Sequence, residues 1–227
     1  SFLPNDRTNI YANWGIGFKS GGFNNQGSAQ IFADNFVNFF GANVTVNDQY
    51  RKEWSSAFEG GIKGKLADGA VTFDLAGYYT QVHDMQFFEF FVGSFGLLRV
   101  VSNIDRVDLK GIEATTTIMP VRGIKLFGSF NYTDSEIRKN SSRPYTVGNK
   151  SPYTADYTLN IGAEVEQPLS NDLKMIGRVD YRITGPTWFH TVQNNTVPTI
   201  FGLAANFKNS QRDPYGIFNL RVGVKSD

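Results

Sequence analysis

Hydrophobic and polar residues alternate with a period of two in eight segments, which is the signature of strands with one apolar face. In the first, Ile10, Ala12, Trp14, Ile16 and Phe18 share a face, and Asn9, Asn13 and Lys19 point the other way. The second sets Trp54, Phe58, Ile62 and Leu66 against Glu53, Ser55, Glu59, Lys63 and Lys65. The third sets Val71, Phe73, Leu75 and Tyr79 against Thr72, Asp74 and Thr80, and the fourth sets Ile112, Ala114 and Ile118 against Glu113, Thr115 and Thr117. Ile124, Leu126, Phe130 and Tyr132 make the fifth apolar face, and Ala155, Tyr157, Leu159, Ile161, Ala163 and Val165 the sixth. The seventh opposes Leu173, Met175, Val179, Tyr181 and Ile183 to Lys174, Arg178, Asp180 and Arg182. The eighth opposes Phe218, Leu220, Val222 and Val224 to Asn219, Arg221 and Lys225. No α-helical stretch stands out, no unit repeats, and no domain boundary is visible.

A soluble sandwich explains this alternation as well as a membrane sheet does. The connections separate the two. Segments two and three meet at Ala67-Asp68-Gly69, four and five at Pro120 to Gly123, and six and seven at Pro168 to Asp172. Between these hairpins the links are long, over 20–52, 84–106, 137–153 and 185–214. A compact soluble domain rarely needs several such loops. Outer-membrane barrels pair short periplasmic turns with long extracellular loops as a rule. The expected fold is therefore all-β: a transmembrane antiparallel β-barrel sheet of about eight strands. Its first strand runs outward and its last returns to the periplasm.

Composition narrows this further. The mean hydropathy of −0.29 argues against helical spans, and no stretch reaches the ~20 apolar residues that one needs. A barrel strand needs only alternate apolar residues over about 9–11 positions. The formal net charge of +1 offers no electrostatic case for nucleic acid. With no cysteine, disulfides, thiolate metal sites and cysteine nucleophiles are excluded.

Several motifs resemble TonB-dependent receptors. The run from Ile10 to Asn24, with Gly17-Phe18-Lys19-Ser20-Gly21-Gly22-Phe23-Asn24, resembles a strand-to-loop signature of that family. Glu59-Gly60-Gly61-Ile62-Lys63, Tyr78-Tyr79 through Asp84-Met85-Gln86, and Lys110-Gly111-Ile112-Glu113-Ala114 resemble successive strands. Ser151-Pro152-Tyr153-Thr154 and Tyr215 to Arg221 are similar to later ones. The resemblance implies a barrel of about 22 strands, an N-terminal plug and energy delivered through TonB. It leads us to expect that residues 1–227 are a segment of the barrel domain, without a plug, a TonB box or the aromatic residue usual at the end of such barrels. It also implies residence in the bacterial outer membrane, contact with its lipid, and a TonB complex reached through the missing plug. The implied activity is active uptake of a small-molecule ligand: a ferric siderophore, a cofactor or an organic nutrient. The alternative is a self-contained eight-stranded structural or adhesion barrel. In that case the first strand pairs with the last.

No catalytic signature is present, and we expect no enzyme, resident cofactor or metal site. Gly60 to Lys65 lacks the spacing of a phosphate loop and lies in a strand. His83 and His190 sit at the mouths of predicted loops, where a histidine is usually a plain surface residue. Lys63, Lys65, Arg178 and Arg182 are the expected ion partners for the charged face, Glu53 and Glu59 included. Trp14, Trp54, Tyr79 and Tyr132 fit an interfacial aromatic girdle. Other aromatics fall beyond the strand ends: Phe87, Phe88, Phe90, Phe91 and Phe95; Phe32, Phe36, Phe39 and Phe40; and Trp188 with Phe189. Loop-on-loop packing accounts for them. So does an external site for an apolar or aromatic ligand, with Phe87, Phe88, Phe90, Phe95, Trp188 and His190 as its candidate residues.

Overall fold

The computed structural model describes residues 1–25, 27–38, 46–198 and 204–226; Phe39 and Phe40 lie outside them. Nine antiparallel strands form one sheet, each paired with its neighbour in sequence. They are β1 (Phe2–Asn5), β2 (Thr8–Lys19), β3 (Glu53–Leu66), β4 (Val71–Gly93), β5 (Gly96–Val121), β6 (Ile124–Lys139), β7 (Tyr157–Pro168), β8 (Leu173–Thr184) and β9 (Tyr215–Ser226). Strands β2 to β9 are the eight segments expected from the alternation. Strand β1 is additional. It is short and contains Pro4, so it carries no readable period, and it is held as the edge partner of β2 through Phe2↔Ile10. The sheet is open: β2 pairs with β1 and β3, and β9 pairs with β8. The self-contained eight-stranded barrel, which needs the first strand on the last, is not what this chain forms.

The expected hairpin turns are present. Asp68 and Gly69 both take positive φ, 52° and 93°, as the central pair of a tight turn between right-twisted strands requires, and the Ala70 N–H closes it on the Ala67 carbonyl at 3.0 Å. Gly123 also has positive φ, and a side chain there would collide with the Glu166 carbonyl. The link at 84–106 is a correction. It is no loop, because β4 and β5 continue as a ladder from Val71↔Ile118 to Gly93↔Gly96, with only Ser94 and Phe95 at the tip. A second correction concerns helix. Ser28–Phe32 is α-helical and runs on into a wider helical turn, Ala33–Val37. Among the described residues no helix is long and apolar enough to cross a membrane.

The sheet has no apolar core on either side. Its apolar face is open, with Phe218 63% and Leu220 67% exposed. Its other face is a field of ion pairs: Lys63 with Asp74, Lys125 and Arg178 with Glu164, and Arg178 with Asp180. Glu53, expected to pair with one of four other cations, takes Lys19 instead. One cross-strand row on the apolar face runs Ile10, Ile62, Leu75, Ala114, Phe130, Leu159, Ile183 and Gly216. On β2 the apolar residues extend from this row toward the long-loop end as far as Phe18. On β9 they lie wholly toward the short-turn end, from Phe218 to Val224. The centre of the apolar band thus drifts by about nine residues over seven strand steps. With ~3.4 Å per residue and ~4.8 Å between strands, the strands tilt by about 40° from the normal to the band. Transmembrane barrels tilt their strands by about 35–45°.

Candidate functional site

Above the band the chain builds a layer of a different kind, a cap made from the β4–β5 hairpin and the 20–52, 140–156 and 185–214 segments. It begins where the pleat changes face. Below Asp84, Val82 and Val107 point to the charged side; beyond it, Met85 and Ile104 pack into the same cluster as Val82 and Val107. On β4 an even position, Val82, is thus followed by an odd one, Met85, on the same face, and on β5 the parity switches likewise between Val107 and Ile104. Asp84 achieves this with a positive φ of 53°, uncommon for a residue with a side chain. Arg51 bridges Asp84 at 2.6 Å and Asp105 at 3.3 Å, which neutralises the two facing carboxylates at the kink.

The cap has true cores. Phe87, Ile104, Val107 and Ile137 form one. Phe32, Phe36, Leu98 and Val100 form another, with Phe91 and Phe95 against it. Asn24 clips the 20–52 segment to the hairpin. It accepts from the Val101 N–H at 2.7 Å and donates to the Val101 carbonyl at 2.9 Å.

Over these cores lies an aromatic ladder drawn from three segments. Arg99 sits 4.8 Å above the Phe88 ring, and Phe88 stacks on Tyr153 at 5.6 Å and 20°. Tyr153 meets Phe189 edge-on at 5.6 Å. Arg212 then lies between Phe189, at 5.6 Å, and Tyr215, at 4.5 Å. Cation–π contacts therefore close both ends of a three-ring run. Beside it, Glu89 and Arg143 form an ion pair at 2.7 Å with side chains only 12% and 11% exposed. Burial pushes the Glu89 carboxyl above its ordinary range, against the pull of Arg143. The Nε2 of His190 faces Glu89 at 3.7 Å, and its Nδ1 accepts from the Val192 N–H at 3.0 Å. Burial, with Arg143 nearby, brings His190 down to about 4, so the imidazole is neutral at ordinary pH. A polar cavity of about 220 Å³ opens between the segments and is lined in part by Arg51, Glu89, Asn103, Asp105, Ser142 and Arg143.

The six expected site residues are only partly gathered. Phe88 is in the ladder, with Phe90 edge-on to it at 5.6 Å and 55% exposed. Phe87 is buried beneath, edge-on to His190 at 6.5 Å, and His190 stacks on Phe207 at 4.5 Å. Phe95 belongs elsewhere, packed on Phe36, and Trp188 is sealed in the cap. His83 is on a strand and stacks flat on Trp54 at 4.0 Å. Sequence reasoning did not foresee roles for Tyr153, Arg99, Arg212, Glu89 and Arg143. Only Tyr153, within Ser151-Pro152-Tyr153-Thr154, carried any signal. Thr191 Oγ1, Ser210 Oγ and Arg212 Nε are buried in the 185–214 segment without a hydrogen-bond partner. Among the described residues no cluster of His, Asp and Glu is arranged to hold a metal.

With this geometry established, comparison with known proteins decides the family. A model of the TonB-dependent receptor-like β-barrel matches residues 1–226. The chain belongs to that family. No curated protein matches it in sequence. Among solved structures, the ferric yersiniabactin uptake receptor FyuA of Yersinia pestis is 18% identical with a TM-score of 0.66, over 98% of this chain and 28% of that one. The ferric preacinetobactin receptor BauA of Acinetobacter baumannii is 16% identical with a TM-score of 0.57, over 97% and 27%. The copper transporter OprC is 18% identical with a TM-score of 0.58, over 95% and 29%. At these identities the likeness is one of fold. This TonB-dependent receptor segment spans little more than a quarter of each receptor's length. In the family's frame its apolar face is the lipid side, its charged face the lumen, and its cap extracellular.

Proposed function

We propose that the protein containing this chain is an outer-membrane receptor, not an enzyme, that imports a scarce nutrient with energy coupled through TonB. Residues 1–227 contribute an arc of its barrel wall and part of its outer cap, without a plug of their own. The aromatic ladder carries the reading of the cap as a ligand site. Three separate segments spend side chains on one partly exposed run of rings, flanked by cations, where packing alone would bury them. The cargo it suits bears aromatic or apolar groups. Phe88, Phe90, Tyr153 and Phe189 contact it, and Phe87 and His190 support them from below. Phe95 and Trp188 serve the packing of the cap. Two of the three fold neighbours above are receptors for ferric chelates and the third is a copper transporter, which favours a ferric chelate.

The test is uptake by cells carrying the full receptor, with radiolabelled ferric siderophores, cobalamin and copper as probes. Uptake of one probe should require TonB and fall about tenfold or more in Phe88→Ala/Tyr153→Ala. Unchanged uptake in that variant removes the ladder as the binding site; uptake that ignores TonB removes the coupled-import reading.

A further inference from the structure

The register of the last hairpin places like charges directly opposite one another twice. Arg178 faces Arg221, and Lys174 faces Lys225. Directly opposed residues on one face stand about 4.5–5.5 Å apart at Cβ, and like charges there are destabilising. All four lie on the lumen face, which also carries Arg182 one rung further out. Cations therefore recur at every fourth residue of β8, at 174, 178 and 182. At ~3.3 Å per residue the rungs are about 13 Å apart along the strand, and with the ~40° tilt they cover about 20 Å of the ~30 Å hydrocarbon thickness. Acids nearby answer only part of this charge: Glu164 holds Arg178 and Lys125, Asp180 holds Arg178 and accepts from Asn219, and Glu166 stands 3.9 Å from Lys174. Arg182, Arg221 and Lys225 have no ion pair among the described residues. A hollow of about 830 Å³ opens against this wall, lined in part by Lys125, Glu164, Arg178 and Arg221. On the β2–β4 side more of the charge is answered: Lys19 and Lys63 are each held by an acid, Glu53 and Asp74, and Lys65 has no ion pair among the described residues.

We propose that the lumen wall of β8 and β9 is a cationic lane that passes anionic cargo from the cap toward the periplasm. A carboxylate-, phenolate- or phosphate-bearing ligand exchanges between Arg182, the Arg178–Arg221 rung and the Lys174–Lys225 rung. Each rung binds firmly enough to attract the anion and weakly enough to release it to the next. On each rung the anion meets a cation without an ion pair among the described residues, Arg221 or Lys225, beside one already held by an acid. This rests on the import reading, since a lane needs a lumen that opens.

The test is ion selectivity of the full-length receptor in planar lipid bilayers, under a KCl gradient, with the lumen opened by urea. The variant R182Q/R221Q removes two cations that hold no ion pair within the sheet; heat-modifiable gel mobility confirms that it is folded. Wild type should favour chloride over potassium, and the variant should lower that permeability ratio about threefold or more. An unchanged ratio overturns the lane and leaves import standing. So does a variant that leaks without urea but keeps the wild-type ratio once open, because the cations would then serve to hold the lumen shut. A receptor that passes no current and takes up none of the probes removes the import reading and the lane with it.

Discussion

Phe218 and Leu220 in the sheet are about two-thirds exposed, whereas Phe32, Val107 and Ile137 in the cap are 1%, 0% and 0% exposed. Both sets are large apolar side chains in one chain, with opposite burial. The sheet keeps its apolar side chains outward because lipid solvates them, and pairs its charges on the other face. The cap stands in water and must hide its apolar residues, so it forms ordinary cores and buries an ion pair under them. The boundary between the two regimes is sharp. On β5 the outward face passes from Ile112 to Lys110 and Asp108 in successive outward positions, and on β6 from Tyr132 to Asp134 and Glu136. Lys110 and Lys150 both reach Asp134 there, as charged groups do once hydrocarbon gives way to headgroups and water.

Three changes would break or sharpen this contrast. The largest effect is expected from Glu89→Ala. It strands the Arg143 guanidinium in the cap, and losing one partner of a buried pair costs about 3–5 kcal/mol. Limited proteolysis should cut the 140–156 and 185–198 segments far sooner, while the heat resistance of the barrel stays as it was. A wild-type cleavage pattern would mean that the pair does not hold the cap.

Next is an arginine on either face of β6. Leu126→Arg sets a charge against lipid and should cost about 2–4 kcal/mol near the bilayer midplane. Ser129→Arg, on the lumen face, should cost much less. Equal losses of folded barrel on gels across a temperature series would contradict the assignment of faces.

The smallest is a pH effect confined to the cap. His190 is depressed to about 4 in the folded protein from an ordinary 6.5. A proton taken up in that window therefore binds the undocked segment and not the docked one. Docking is strongest above about 6.5 and weakens as pH falls toward about 4, by roughly 2–3 kcal/mol in all, after which the dependence levels off. Protease sensitivity of the 185–198 segment should follow that curve. His190→Asn should flatten it, and a curve that persists in the variant would assign the effect to another group.

How much could be read beforehand follows the same boundary. Strand faces, turn positions and orientation were legible because a half-exposed strand writes its environment into every second residue. Tyr132, where the apolar face of β6 gives way to Asp134, was legible for that reason; Trp14, expected in the same girdle, instead lies at the middle of the apolar run on β2 from Ile10 to Phe18. The ladder was not. Phe88, Tyr153 and Phe189 are far apart in the chain, and nothing local in any of them signals the other two. The 84–106 hairpin looked like a loop because the face change at Asp84 breaks the alternation, which hides a strand from a period-two reading.

By itself the sequence determined an amphipathic sheet, its direction and its family, because alternation and turn chemistry are local and each residue reports its own solvent. Only the tertiary structure decided which aromatics meet in the cap and that cations stand opposite cations along β8 and β9. Both depend on register and on contacts between distant segments, and a one-residue slip in register would turn every side chain to the other face.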